Sequence, residues 1–541
     1  MELPAKYREL KSKPVKSATF IIYDLKKYWH TFTAEQKANL SDYLYRPNLP
    51  NSIISESGTF KIHYTTTGYD AATDSFATEV AQAFDYSYQI EVTQLGYPAP
   101  PSDNGIDGPE YDIYIQSLSA YGWTWPEYSI PTTPRDDYTS FIKIDNDFSP
   151  GQNYFTEGLD AMRVTASHEF FHAIHFGIRA PIDPPYSDSD RFYYEVSAVW
   201  IEDKVWDEIN DYYQYFFDLG VITKSYFNSP GLVFNTFNDW REYGLSVWNH
   251  YLDKKYGTDT IRRIWEHMLL TNGIDAMKRT LSEKGAVFAD AFAEFHAWNY
   301  FTAGTADETL FYEEGSSYPR IKFEQSFDLT STISHSDSLE RLSGKYYKII
   351  NRTASNVLSV GLNVEHNSSW RIAAIFQPVS GTPEVSIVTP PQHAIFTNTS
   401  AGDTLIIIPV NVEYSNEHAI VYAEPKHSFS FTASPDSGTI SEGKKSHIIS
   451  VSSNPLFLGR QNSLTAFLYI SQQSEVTAYV LDQTGRPIIK EFLGVLPKGY
   501  GHTWDWNGRN SNGDFAATGI YILLFKIGDT FAKQKVAIIR K

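Results

Sequence analysis

The sequence predicts a multidomain α+β chain, in which an N-terminal sheet and a helical subdomain precede two β-sandwich domains. Helix-period patterns at 246–255, 260–270 and 286–299 run on to about Glu314. From Phe323 short alternating segments replace them, among them 345–350, 357–364 and 404–412, with turn clusters such as Asn351-Arg352-Thr353 and Ser400-Ala401-Gly402-Asp403 between them. A stretch rich in Ser, Pro and Gly, 434–443, then introduces a last module. The 541 residues suit three or four domains, with boundaries expected at 1–57, 58–322, 323–430 and 431–541.

Taken in order, residues 1–57 are Lys-rich and polar with a short helical pattern at 34–44, and read as an N-terminal segment or the remnant of a pro-segment. Phe60-Lys61-Ile62-His63-Tyr64 alternates like a strand before a helix expected at 75–83. Tyr121-Gly122-Trp123-Thr124-Trp125-Pro126 reads as an aromatic turn that walls a subsite or caps the core. Ser140-Phe141-Ile142-Lys143-Ile144-Asp145 alternates as a half-buried strand whose edge could meet an extended peptide. Two oxygen-rich clusters, one with Asp103 and Asp107 and one with Asp145 and Asp147, are suited to calcium, although neither has EF-hand spacing.

Composition narrows the function classes. With no cysteine, disulfides, thiol catalysis and Cys-ligated zinc are excluded. A formal net charge of -19 argues against nucleic acid or an anionic membrane as partner. No apolar run approaches the roughly 20 residues of a transmembrane segment. Met1-Glu2-Leu3-Pro4-Ala5-Lys6 lacks the apolar core of a signal peptide; either the protein stays inside or the sequence begins after a cleaved leader with a Met added, and the character of the C-terminal half makes the second, a secreted protein, the expectation.

The chemistry concentrates in His168-Glu169-Phe170-Phe171-His172, inside a helix expected over 158–177. Two histidines four apart on a helix differ by about 6 Å in height and about 40° in angle, so both rings reach one metal ion. Glu169 lies beside them, placed to take a proton from a water at that ion. Val164, Ala161, Ile174, Phe170 and Phe171 make the helix apolar, and buried histidines need partners. A catalytic zinc usually takes three protein ligands. Ile178 occupies the place of a third histidine six residues after the second. His175 lies roughly 10 Å along the axis from His168, which suits a supporting contact or a cation near the helix C-terminus. Glu195, 23 positions after His172 on a return helix, is the better third ligand, because Ala198 lets that helix come close. Glu202 or Asp203 would then accept a ring N–H from a ligand histidine, or lie on a solvated face.

HEFFHAIHF followed by YYEVSAVWIED resembles the glutamate-zincin metallopeptidases. The ordered runs at 95–115, 140–148 and 164–177 are similar to a group of bacterial secreted metalloproteases with trailing β domains, a likeness covering about residues 60–300. Val196 replaces the glycine common after the ligand glutamate, and Val199 stands where thermolysin-like enzymes place a histidine-orienting aspartate. The resemblance implies a zincin-like catalytic domain, zinc at His168, His172 and Glu195, and Glu169 as general base. Tyr243 is the candidate oxyanion donor, with His250 behind it. In the last module, Asp482-Gln483-Thr484-Gly485-Arg486, Trp504-Asp505-Trp506-Asn507-Gly508 and Thr518-Gly519-Ile520-Tyr521 resemble the immunoglobulin-like module of hook-capping proteins and of secretion-sorting domains. That implies contact with secretion machinery or attachment at the cell surface. The expected function is therefore an extracellular zinc endopeptidase acting on protein or peptide substrates. The alternatives are a non-catalytic surface protein with a structural metal, and a metal-dependent hydrolase of another substrate.

Overall fold

A computed structural model describes residues 15–133, 137–152, 154–180, 190–217, 224–237, 240–364, 369–390, 392–414, 425–436, 446–451, 455–458, 463–497 and 499–540. It is a multidomain α+β protein. The first unit begins with β1 (Val15–Ser17), α1 (Thr19–Lys27), α2 (Ala34–Leu44), β2 (Asn51–Ile54), β3 (Phe60–Tyr64) and α3 (Asp74–Tyr88). It continues with β4 (Tyr111–Gln116), β5 (Ala120–Ser129), β6 (Tyr138–Asp145), α4 (Gly158–Ile178) and α5 (Arg191–Val205). Five further helices complete it: α6 (Arg241–Gly244), α7 (Val247–Tyr256), α8 (Asp259–Met268), α9 (Gly273–Glu283) and α10 (Phe288–Trp298).

Its six-stranded sheet has the order β1-β5-β6-β4-β3-β2. β5 runs antiparallel to β6, and β1 lies parallel to β5 at the edge, pairing Val15 with Ala120 and Ser17 with Gly122. Two expectations are corrected here. Residues 121–126 are strand, not turn, and their side chains alternate: Thr124 turns toward α4, where it hydrogen-bonds Glu169, while Trp123 and Trp125 join the core with Ile22 and Phe141. Residues 138–145 form an interior strand with both edges paired, so no peptide can add to it.

α4 is apolar on every side and packs against β5, β6, α3 and α5. Phe170 and Phe171 are fully buried, each contributing about 1.5–3 kcal/mol by leaving water. Gly122 permits the close approach of β5, since a Cβ there would stand 2.9 Å from the Lys143 carbonyl and 3.1 Å from Cγ of Glu169. The expected loop between the two site helices falls largely on 181–189, outside the described residues.

The second unit contains β7 (Gln325–Leu329), β8 (Ile333–Leu339), β9 (Ser343–Gly344), β10 (Tyr347–Asn351), β11 (Val357–Val364), β12 (Trp370–Gln377), β13 (Glu384–Val388), β14 (His393–Thr397), β15 (Thr404–Asn411) and β16 (His427–Asp436). Sheets β13-β12-β15-β10-β7 and β14-β11-β16-β8 share one core of Leu358, Phe396 and Phe431 against Ile372 and Ile407. The other face of the first sheet, through Ala373, Ile375 and Ile406, joins the core of the helical unit. The third unit comprises β17 (His447–Val451), β18 (Leu456–Leu458), β19 (Leu464–Ile470), β20 (Ser474–Leu481), β21 (Pro487–Leu496), β22 (Gly499–Trp506), β23 (Gly519–Ile527) and β24 (Thr530–Arg540), and two sheets enclose its core.

Two expected boundaries move. The break at 57 is wrong for the described residues, because β1 and β2 are members of the first sheet. The break at 430 cuts β16, whose residues through Asp436 pair with β11. The rest of the expected linker, 437–443, lies outside the described residues. No described helix is long and apolar enough to cross a membrane.

Candidate metal centre

α4 and α5 bring three ligand atoms together. His168 Nε2 and His172 Nε2 are 3.1 Å apart, and Oε2 of Glu195 stands 3.2 Å from the first and 3.4 Å from the second. Donors about 2.0–2.2 Å from one tetrahedral ion are separated by about 3.3–3.6 Å, and these separations lie at or a few tenths of an ångström under that, so small adjustments would let one cation meet all three atoms. All three residues are buried, and Oε2 of Glu195 has no hydrogen-bond partner.

Hydrogen bonds behind the rings fix which nitrogen carries the proton. Nδ1 of His168 donates to Oε1 of Glu202 at 2.7 Å, which leaves Nε2 as a lone pair facing the centre. For His172 the assignment runs through a chain. Ser197 Oγ donates to the Tyr193 carbonyl at 2.6 Å, so it accepts from Nε2 of His175 at 3.3 Å. Nδ1 of His175 is then an acceptor, and Nδ1 of His172 donates to it at 3.4 Å. Burial holds both ligand rings neutral, pushing each down to about 3. Two ring lone pairs therefore converge on an oxygen of Glu195, whose carboxyl burial raises above its ordinary value, and a cation among the three atoms would satisfy them all.

Glu169 faces the same space. Its Oε2 accepts from Thr124 Oγ1 at 2.8 Å and Thr19 Oγ1 at 3.1 Å, while Oε1 is buried without a partner. Burial raises its carboxyl to about 8, the threonine hydroxyls pulling back and Glu195 adding to the rise. Tyr243 lies beside the centre, its ring centroid 6.3 Å from that of His168. Its hydroxyl also approaches the Ser17 carbonyl at 3.5 Å.

Glu202 serves as the sequence suggests, and its Oε2 sits 2.9 Å from Nζ of Lys16, which also meets Asp211 at 2.7 Å. His175 supports His172, but it is not a cation: it is buried against Trp265 at 3.9 Å between ring centroids, and burial holds its pKa well below the usual imidazole value. Asp203 is corrected. One residue beyond Glu202 it turns about 100° around the helix and faces Lys204 at 3.7 Å and His250 at 3.8 Å. His250 accordingly belongs to that cluster and not to the metal centre.

The four aspartates expected to suit calcium do not form one cluster. Asp145 accepts backbone N–H groups of Leu118 and Phe148, and Asp147 accepts from Ser149 and Gln152, so both staple turns. Asp103 binds Arg46 at 2.6 Å. Among the described residues, Asp107 groups with His63 and Asp112, where Arg46 already supplies the positive charge.

Lys16, Ser17, Thr19, Thr124 and Asp211 were absent from the expected site. Thr124 lies inside a strand the sequence marks only as aromatic. The other four are joined to the site by pairings across more than a hundred residues, or, for Asp211, through Lys16, and no local pattern announces them.

No family model matches the chain, and no curated protein does. Among solved structures it is similar to PorZ, a bacterial surface component of the type-IX secretion system of Porphyromonas gingivalis, at 19% identity over 20% of this chain and 14% of that one, with a TM-score of 0.14. Dimeric latent PorU from the same organism matches at 14% identity over 41% of this chain and 19% of that one, with a TM-score of 0.17. The periplasmic lysozyme inhibitor PliG of Aeromonas hydrophila matches at 11% identity over 20% of this chain and 95% of that one, with a TM-score of 0.16. Likeness this slight carries no argument about function.

Proposed function

We propose that the chain is an extracellular zinc endopeptidase with a zincin-like catalytic domain. The observation that carries the reading is the close triangle of His168 Nε2, His172 Nε2 and Glu195 Oε2, with the unpartnered oxygen of Glu169 beside it. Zinc bound there supplies Lewis-acid polarisation of a carbonyl and acidifies a water. Glu169, held by Thr124 and Thr19, takes the proton at Oε1 and returns it to the leaving amine. Tyr243 donates its hydroxyl to the developing oxyanion. Secretion and the sorting-like role of the last module are part of the same reading and rest on the sequence resemblance.

One observation favours a second reading, a surface protein with a structural metal: the centre is closed to solvent, each of the three ligand residues being at most 1% exposed. The test is casein hydrolysis by the zinc-loaded chain, both natural and carrying Phe20→Ala, which uncovers the His172 ring. Cleavage that Glu169→Gln abolishes while zinc is retained supports the peptidase. Zinc retained with no cleavage in either chain supports the structural metal.

A further inference from the structure

One short stretch, Lys16 to Phe20, meets four side chains of the centre: Glu169, Tyr243, Glu202 and His172. Thr19 donates to Glu169, the Ser17 carbonyl meets the Tyr243 hydroxyl, and Lys16 binds Glu202, the acceptor behind His168. Phe20 sets its edge against His172 at 6.2 Å and packs with Tyr194 and Phe237 at 5.7 and 5.3 Å. The backbone of this stretch covers β5, the strand that would otherwise be the bare edge of the sheet, and Ala18 N–H donates to the Gly122 carbonyl at 3.0 Å. An uncovered edge beside a catalytic centre is what an extended peptide pairs with.

The lysine identifies the chemistry of the occupant. Its ammonium is fully buried between Glu202 and Asp211 and lies 4.6 Å from the centre of the Tyr121 ring. Withdrawing it leaves two buried carboxylates facing each other, a strongly unfavourable state that another cation in the same place relieves. Resting on the peptidase reading, we propose that residues 15–20 fill the enzyme's own substrate groove, and that Glu202, Asp211 and the Tyr121 face form a pocket for a lysine or arginine side chain of a peptide laid along β5. The chain as folded is then latent, and displacement of this stretch opens it.

The test uses the full chain, natural and with Lys16→Met plus Phe20→Ala, and a fluorescent peptide of residues 15–24, with a second peptide carrying Lys16→Met. Anisotropy is read on protein held in EDTA and on zinc-loaded protein. The natural chain is expected to bind neither peptide. The variant is expected to bind the lysine peptide at least about tenfold more tightly than the methionine peptide, a preference that Asp211→Asn reduces. Equal binding of both peptides by a folded variant, binding of neither, or equal binding by the natural chain overturns the proposal. Where the double variant does not melt cooperatively, Phe20→Ala alone, with both ion pairs in place, carries the measurement. If the lysine peptide binds as expected but zinc-loaded protein does not cleave it, the peptidase reading fails and the groove assignment stands.

Discussion

Oε1 of Glu202 accepts the Nδ1 proton of His168 at 2.7 Å, and its other oxygen lies 2.9 Å from the Lys16 ammonium. Glu202 lies one helical turn beyond Val199 on α5 and holds the His168 ring from behind. Glu202→Gln is expected to weaken zinc affinity about 10–100-fold while leaving the ligand set intact. Competition against a chelator of known affinity measures it, and an unchanged affinity would show that the hydrogen bond does not orient the ring.

Tyr243 stands beside the His168 ring, 6.3 Å between centroids, with its hydroxyl near the Ser17 carbonyl. In a Phe20→Ala background, Tyr243→Phe is expected to lower kcat by about 10²–10³ with KM and zinc content little changed. A rise in KM at constant kcat would make Tyr243 a binding residue instead.

Gly122 lets β5 pass close to Glu169. Gly122→Ala forces the Lys143 carbonyl, Thr165 or Glu169 to shift, and a cost of about 1–3 kcal/mol is expected. Chemical denaturation reads the loss. Stability equal to that of the natural chain would mean that the strand moves freely away from α4.

Asp203 gives a pH signature separate from the metal centre. Burial pushes its carboxyl up to about 8, Lys204 opposing and Glu314, Asp207 and Glu313 adding to the rise. A carboxyl raised in the folded state favours folding below the unfolded pKa near 4, and this contribution is lost as pH climbs through about 8. Asp203→Asn is therefore expected to raise Tm relative to the natural chain at pH 9 and to change it little at pH 4. Melting curves at the two values decide, and an equal effect at both removes the ionisation from the explanation.

The helices the sequence marks, such as 34–44, 158–177 and 246–255, were legible because their signals are local, whereas α1 and α9 were not named from it. Residues 34–44 are α2 to the residue, started by a capping box between Thr33 and Gln36. The metal triad was legible for the same reason: the i, i+4 spacing of α4 fixes the histidine pair, and Ala198 beside Glu195 permits the helix contact. The choice between Glu202 and Asp203 follows from the helical period, since only Glu202, seven residues on, shares the face of Glu195. What could not be read was the first strand. Three residues paired to a partner more than a hundred positions away carry no periodicity, and polar Lys16, Ser17 and Thr19 look like exposed leader until Glu202, Tyr243 and Glu169 are seen around them. The order of the sheet, and with it the interior position of residues 138–145, is likewise a product of long-range pairing.

The most direct test of the central claim is a zinc titration of metal-free protein, with the bound ion located by anomalous scattering. One zinc per chain, ligated by His168, His172 and Glu195 and weakened severely by Glu195→Gln, is the predicted result. No zinc bound, or an affinity that Glu195→Gln leaves unaltered, would contradict it.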